Sequence, residues 1–449
     1  MTSTLLKTPP LNAPTIEKLP NGLTIVAEQM PVEAVNLNVW INVGSAVEPD
    51  EINGMAHFLE HMVFKGTPRI QSGEFERLIE ERGAVTNAAT SQDYTHYYIT
   101  TAPKDFAQLA PLQLEVVLNP SIPDDAFERE RLVVLEEIRR SEDNPHRRTY
   151  RRAMETTFNY LPYRRQVLGP VSAIEQLQPQ QMRDFHAQWY QPSAMTAVAV
   201  GNLPVEELIE IVRSGFIEAG IPNSVRTDLG RLPAPGISET VVPSFSYPEN
   251  STVPNDQPEP PFTEIIRQNY VDPTLQQARL VMVWRVPGMK QLERTYALDV
   301  LAAILGHGRM SRLVRDLREE RQLVTHIGVS NMTQQIQGVF YISAQLPTEN
   351  LAVVEAAIIE HIARLQNELV AEADIARICT QVANRFIFGN EKPSDRTGLY
   401  GYYYSQLQDL DSALQYPARI QAVDVVDIQQ AAQEYLSTQG YGVVTIEPA

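Results

Sequence analysis

A chain of 449 residues exceeds what one hydrophobic core usually organises, and 43% hydrophobic with 20% charged residues marks it as globular rather than disordered, so two or more domains are expected. Fifty-five acidic residues against 37 Lys plus Arg give a formal net charge of −18, which disfavours a nucleic-acid partner because phosphate binding needs a positive footprint. The single cysteine, Cys379, excludes an intramolecular disulfide framework and leaves any metal site to His and carboxylate ligands.

The opening "MTSTLLKTPPLNAPTIEKL" lacks the apolar core of a secretory signal, and no later run has membrane-spanning length. A cytoplasmic protein with no membrane partner is the expectation. Alternation in "GLTIVAEQM" and "AVNLNVWINVGS" predicts strands, and "GMAHFLEHMVF" predicts a helix. "AVTNAATSQDYTHYYITT" reads as a further strand, "DDAFERERLVVLEEIRRSED" as a long amphipathic helix, and "YQPSAMTAVAVGN" as a core strand closing a first domain over 1–225. Between 226 and 262 the texture changes: eight prolines fall between Pro233 and Pro261, which break helices and stiffen an extended linker.

Over 263–449 the order repeats, with strands at "QARLVMVWRVPG", "GVFYISAQLP" and "GYGVVTIEP" and a helix at "RTYALDVLAAILGHG". The fold class expected is α+β: two homologous domains, each an antiparallel sheet covered by helices, arising from an internal duplication. Only the first copy carries a histidine cluster.

That cluster is "HFLEHM". On a helix His57 and His61 are i and i+4 and project from one face, with Glu60 beside them. One histidine in an apolar segment is most simply a core residue, but H-x-x-E-H, the inverted counterpart of the H-E-x-x-H zinc-peptidase helix, points to a metal held by two imidazoles. A third ligand is sought downstream in "FERERLVVLEEIRRSEDNP". There Glu130 and Glu137 share a face, while Glu128, Glu136 and Glu142 read as solvated charges; spacing alone leaves Glu136 and Glu137 evenly matched.

H-F-L-E-H-M followed by F-K-G-T, with an E-x6-E helix segment beginning 69 residues after His61, resembles the pitrilysin family, which includes insulysin and the mitochondrial processing peptidases. The resemblance extends through "WINVGSAVEPDEINGMAHFLEHMVFKGTP", "GAVTNAATSQDYTHYYIT" and "LGHGRMSRLVRDLREERQLV". It implies a zinc metalloendopeptidase with one Zn2+ per chain. His57, His61 and Glu137 would be the metal ligands, Glu60 the general base, and Glu130 a second acidic residue supporting the site. It also implies that Glu137 is chosen over Glu136.

"TNAATSQDY" offers small side chains that would let a peptide backbone approach and add as an extra strand. The resemblance supports that role for Asn87, Ala88 and Ala89 and puts Asn87 near the scissile bond. In "SDRTGLYGYYYSQL", Arg396 and Tyr403 are seven apart and share a helix face. They look like the Arg and Tyr pair with which relatives grip substrate, with Tyr400, Tyr402 and Tyr404 as competing candidates. Two stretches depart from the family: "RQLVTH" at 321–326, and "LGHGRMSRL", a Gly-rich turn that carries no phosphate-binding lysine.

A two-domain chain of this length resembles half of the large clamshell members. That implies a dimer enclosing a chamber for unfolded peptide substrates: a homodimer first, with a heterodimer containing a related, motif-poor subunit as the alternative. A noncatalytic subunit serving assembly is the rival function.

Overall fold

The computed structural model describes residues 13–221 and 257–449, so most of the Pro-rich stretch assigned to 226–262 lies outside the described residues. The first sheet contains β1 (Thr15–Lys18), β2 (Thr24–Gln29), β3 (Val35–Ile41), β4 (Val85–Thr90), β5 (Thr95–Thr101) and β6 (Met195–Gly201), in the order β1-β2-β6-β3-β5-β4. The second contains β7 (Ile265–Val271), β8 (Ala278–Pro287), β9 (His326–Met332), β10 (Gln337–Leu346) and β11 (Tyr441–Glu447), in the order β7-β11-β8-β10-β9. With β1 set aside the two orders are identical, the topological signature of a duplicated unit.

The sheets depart from a purely antiparallel pattern. In each half the last strand inserts beside the first and runs parallel to it, β6 with β2 and β11 with β7, while the other pairings are antiparallel. The long helical connection that precedes each last strand permits this return. The single strand expected at 84–101 is a hairpin: Ser91 N donates to Tyr94 O at 2.8 Å, and polar Gln92 and Asp93 make the turn between β4 and β5.

Among the described residues, eight helices belong to the first half: α1 (Met55–Met62), α2 (Glu74–Glu81), α3 (Pro103–Leu118), α4 (Asp124–Asp143), α5 (Pro145–Thr157), α6 (Val171–Ile174), α7 (Pro179–Trp189) and α8 (Val205–Glu218). Those of the second are α9 (Tyr296–Gly306), α10 (Leu351–Asn367), α11 (Glu372–Phe388), α12 (Pro393–Leu407), α13 (Asp411–Ala422) and α14 (Val425–Tyr435). Among the described residues no helix is long and apolar enough to cross a membrane.

Strand β3 explains how the halves are joined. Val35, Leu37, Val39 and Ile41 face a core shared with Phe58, Phe106 and Leu114. Trp40 points the other way and, with Val26, Val198 and Val200, belongs to the core of the second half, because α12 crosses that face. The reciprocal holds for the second sheet: Ala153 and Met154 of α5, with Phe158, pack on Val281, Val283, Val339 and Val444. Each half therefore lends a helix to cover the other's sheet.

Buried polar ties fix the exchange. Arg396 Nη1 of α12 donates to both oxygens of Glu28 at 3.2 Å, and Thr397 Oγ1 donates to Asn36 Oδ1 at 2.5 Å. Glu259 accepts from the backbone N–H groups of Asn159, Tyr160 and Leu161 and pairs with Arg285 at 2.8 Å. Partners matched this closely repay the desolvation that buried charges otherwise cost.

Gly401 is the closest approach of α12 to the first sheet; a Cβ there would lie 1.9 Å from Trp40 Nε1. Helix propensity favours Gly401→Ala by about 1 kcal/mol, whereas overpacking costs about 1–3 kcal/mol. We expect the variant to lose up to about 2 kcal/mol in urea unfolding at unchanged m-value. A gain in stability would show that α12 does not press on Trp40.

Candidate metal centre and active site

Helix α1 begins in an unusual way. Gly54 adopts φ 100°, and a Cβ there would meet Leu168 O at 2.6 Å, so conformation and space both require glycine. The N–H groups of Gly54 and Ala56 each donate to the Glu48 carboxylate at 2.7 Å, and Asn53 Nδ2 donates at 2.8 Å. Glu48 is inaccessible to solvent and thus caps the helix from six residues upstream. Burial pushes its carboxyl up to about 7 against the pull of these bonds.

Met55, Phe58, Leu59 and Met62 anchor α1 in the core, and Phe58 stacks on Phe127 of α4 at 4.5 Å, which sets the two helices side by side. His57 and His61 then face Glu137 across the gap. His57 Nε2 is 3.5 Å and His61 Nε2 3.6 Å from Glu137 Oε2, and one ligand atom from each residue lies within 4.8 Å of the others. Ligands about 2.0–2.2 Å from a tetrahedral zinc ion stand roughly 3.3–3.6 Å apart, so the set fits one such ion. Glu136, one position along α4, turns outward to Arg139 and Arg140.

The other nitrogen of His61, Nδ1, is 3.0 Å from Glu130 Oε1, whose second oxygen pairs with Lys65 Nζ at 2.7 Å. A proton on Nδ1 directed at Glu130 leaves the Nε2 lone pair free to ligate. Burial depresses His61, but its bonds to Glu130 and Glu137 outweigh this and lift it to about 9. Burial, with the His61 charge, lowers His57 to about 4. His57 Nδ1 is buried with no hydrogen-bond partner among the described residues. Glu137 is held below the usual carboxylate range by its bond to His61. Glu130 is also lowered, burial being outweighed by His61 and Lys65.

Glu60 has a different environment. Its Oε2 accepts from Thr90 Oγ1 at 2.5 Å, at the end of β4, and burial raises its carboxyl above the usual range. It stands beside the cluster without joining it. Strand β4 is the outer strand of its sheet, and Asn87 and Ala89 are exposed, Ala88 half-buried.

Arg396 and Tyr403, the pair expected to grip substrate, lie in the interior of the chain. Arg396 is 8% and Tyr403 7% exposed. Arg396 is engaged by Glu28, by Asn390 O and by Tyr400 Oη, while Tyr403 is buried near Asp299 and Tyr296. Arg396 thus helps to close the two halves together, whereas Tyr403 is packed within the second half. Glu48, Lys65 and Thr90 were not legible as site residues, because each acts through a contact that no local pattern encodes.

The sequence matches the family description "Insulinase (Peptidase family M16)" over residues 24–171 and "Peptidase M16 inactive domain" over residues 176–382. It is 26% identical over 436 residues to the zinc protease PqqE of Helicobacter pylori, covering 96% of this chain and 92% of that one. The fold is similar to the crystal structure of a protease from Helicobacter pylori, with TM-score 0.84 at 25% identity, covering 98% and 100% of the two chains. It is also similar to the periplasmic protease PqqL from Escherichia coli, with TM-score 0.75 at 18% identity, covering 98% of this chain and 48% of that one.

Because His61 keeps its proton up to about pH 9, zinc binding at neutral pH should release a proton and strengthen as pH rises to that value. Glu130→Gln should weaken zinc about 10–100-fold and reduce the proton release. Calorimetry in buffers of different ionisation enthalpy checks both; an unchanged release would separate Glu130 from His61. Glu48→Ala orphans the two buried N–H donors of Gly54 and Ala56 and should cost about 3 kcal/mol of stability. A loss below about 1 kcal/mol in urea unfolding would mean that the start of α1 holds without its carboxylate cap.

Proposed function

The chain belongs to the M16 peptidase family, and from that premise we propose that it is a zinc-dependent metalloendopeptidase that hydrolyses unfolded peptides. The observation that carries the reading is the convergence of His57, His61 and Glu137 with Glu60 held beside them but outside the set. Zinc, when bound by these three residues, supplies a Lewis acid that polarises the scissile carbonyl and makes water acidic enough to act as nucleophile near neutral pH.

The remaining work is done by the chain. Glu60 takes the proton of the attacking water and passes it to the leaving amine. Its raised proton affinity suits that task, and Thr90, donating to Oε2, leaves Oε1 to face the water. Glu130 is a positioning residue: it holds the His61 ring with Nε2 toward Glu137. The open edge of β4 offers backbone donors and acceptors on which an extended peptide can add as a strand, past Asn87, Ala88 and Ala89 and toward Glu60.

The assembly proposed is a homodimer enclosing a chamber. It is supported by the sequence resemblance to half of the large clamshell members of the family and by the fold likeness to a protease of whose chain this one covers 48%. A partner-dependent subunit is the second reading, favoured by the burial of Arg396 and Tyr403, which leaves substrate-gripping groups to a related, motif-poor partner. A cytoplasmic location is part of the proposal, and a single cysteine, Cys379, is compatible with such a reducing compartment.

Hydrolysis of a quenched fluorescent peptide by the chain alone should be abolished by chelator and restored by zinc. Glu60→Gln should retain zinc yet lose about 10²–10⁴ in kcat. Full turnover by that variant would remove Glu60 from the chemistry. Zinc-loaded, folded protein that cleaves only after a related subunit is added would favour the second reading.

A further inference from the structure

Next to the metal cluster lies a cavity of about 330 Å3 whose walls carry Arg147, Arg151, Arg164, Arg165 and His146 and no acidic residue. In a chain with formal net charge −18 this concentration of one sign is local, not general. Three of its arginines are already engaged. Arg151 pairs with Glu142, Arg165 Nη1 donates to Asp50 at 2.9 Å, and Arg164 Nη1 donates to Asn159 O at 2.7 Å.

Arg147 is different. It is exposed, and its guanidinium makes no hydrogen bond or ion pair among the described residues. Asn144 Oδ1 caps the start of α5 by accepting from the N–H groups of His146 and Arg147, so the backbone that carries this arginine is fixed.

The cavity adjoins the path of the peptide. Ser141, one helical turn beyond Glu137 on α4, lines it, as does Gln92 in the turn that follows β4. Thr90 at the end of β4 bonds Glu60, so a strand laid along β4 passes Glu60 and next reaches Gln92 and the cavity. The charge of Arg147 is felt at both His57 and Glu137, which places it within electrostatic reach of the cluster.

We propose that this cavity is a substrate subsite for a carboxylate, with Arg147 as the residue that selects it; the inference rests on the peptidase reading for its substrate. A guanidinium fork matches a carboxylate bidentately, and the Arg147 guanidinium, unlike those of its three engaged neighbours, has its donors free to do so. The carboxylate is either an acidic side chain close to the scissile bond or the free C-terminus of a short peptide. This substrate class is opposite to the basic peptides that the overall negative charge suggests.

The test uses the full chain, zinc-loaded, with a peptide series in which one residue at a time on either side of the cleaved bond is Glu, Gln or Lys. Each peptide is made with a free and an amidated C-terminus. The quantity read is the ratio of kcat/KM for the Glu and Gln peptides at each position, and for free and amidated ends.

At one position or at the C-terminus the wild type should favour the carboxylate about tenfold. Arg147→Gln should bring that ratio near one, Arg147→Lys should retain part of it, and Arg147→Glu should reverse it in favour of Lys. Preference at an internal position identifies a side-chain subsite, and preference confined to free ends identifies C-terminal recognition. A wild-type ratio near one throughout, or one that survives Arg147→Gln, overturns the proposal while leaving the peptidase reading intact. Binding of the same peptides, followed by fluorescence anisotropy, separates the other case: carboxylate-selective binding lost in Arg147→Gln without any cleavage would retain the subsite and sink the peptidase reading.

Discussion

Each sheet in this molecule has two apolar faces, and each half supplies cover for only one of them. A strand such as β3, with Leu37 and Val39 on one side and Trp40 on the other, cannot leave either side in water without losing about 25 cal/mol for each Å2 of apolar surface exposed. The exchange of α5 and α12 between halves resolves this, and the catalytic geometry inherits it. Helix α5 follows α4 after Asn144 alone, and Arg148 Nε ties it to Asp272 of the second half at 2.9 Å. The helix that carries Glu137 is therefore held at its first turns by Phe127 against α1, and beyond its last turn by a helix seated on the other sheet.

Within that frame, similar carboxylates acquire different properties from their partners. Glu130 and Glu137 have cationic or ring N–H partners and are stabilised as anions, whereas burial favours the protonated form of Glu60 and outweighs the Thr90 hydroxyl that donates to it. Such a division separates groups suited to hold a cation from a group suited to carry a proton. Glu48 is a fourth case: a carboxylate with no cation in hydrogen-bond contact, supported by two backbone N–H groups and an amide at the start of the histidine helix. The site thus rests on polar groups reaching back from outside the motif, and the five residues H-x-x-E-H would not be held in place by helix α1 alone, which is only eight residues long.

Net charge and local charge also part company. The acidic excess is spread over exposed faces of α4, α8 and other helices, much of it paired with arginines three or four residues away. Arg147 and Arg151 of α5, with Arg164 and Arg165 beyond it, instead converge on one cavity beside the cluster. Screening over roughly 8–10 Å at ordinary ionic strength means that a bound peptide responds to this neighbourhood more than to the distant surface.

What the sequence by itself determined is what depends on short spacing. Two histidines at i and i+4 share a helix face in any fold, so His57 and His61 were legible at once; alternation revealed β2 and β3, and dense apolar runs revealed β6, β8, β10 and β11. The repeat of these patterns disclosed the duplication. The second strand in 84–101 was not legible because β4 and β5 read as one small, polar-interrupted run. β7 was missed because it is mostly exposed and carries little apolar pattern. Only the tertiary structure chose Glu137 over Glu136 by geometry, since that choice depends on how α4 is rotated against α1, and only it joined Thr90 to Glu60 and Glu48 to the start of α1. It also decided the surroundings of Arg396: spacing puts it on one face of α12 with Tyr403, but which surface it meets is set by the need of a sheet far earlier in the chain to be covered, as the Arg396–Glu28 and Thr397–Asn36 contacts record.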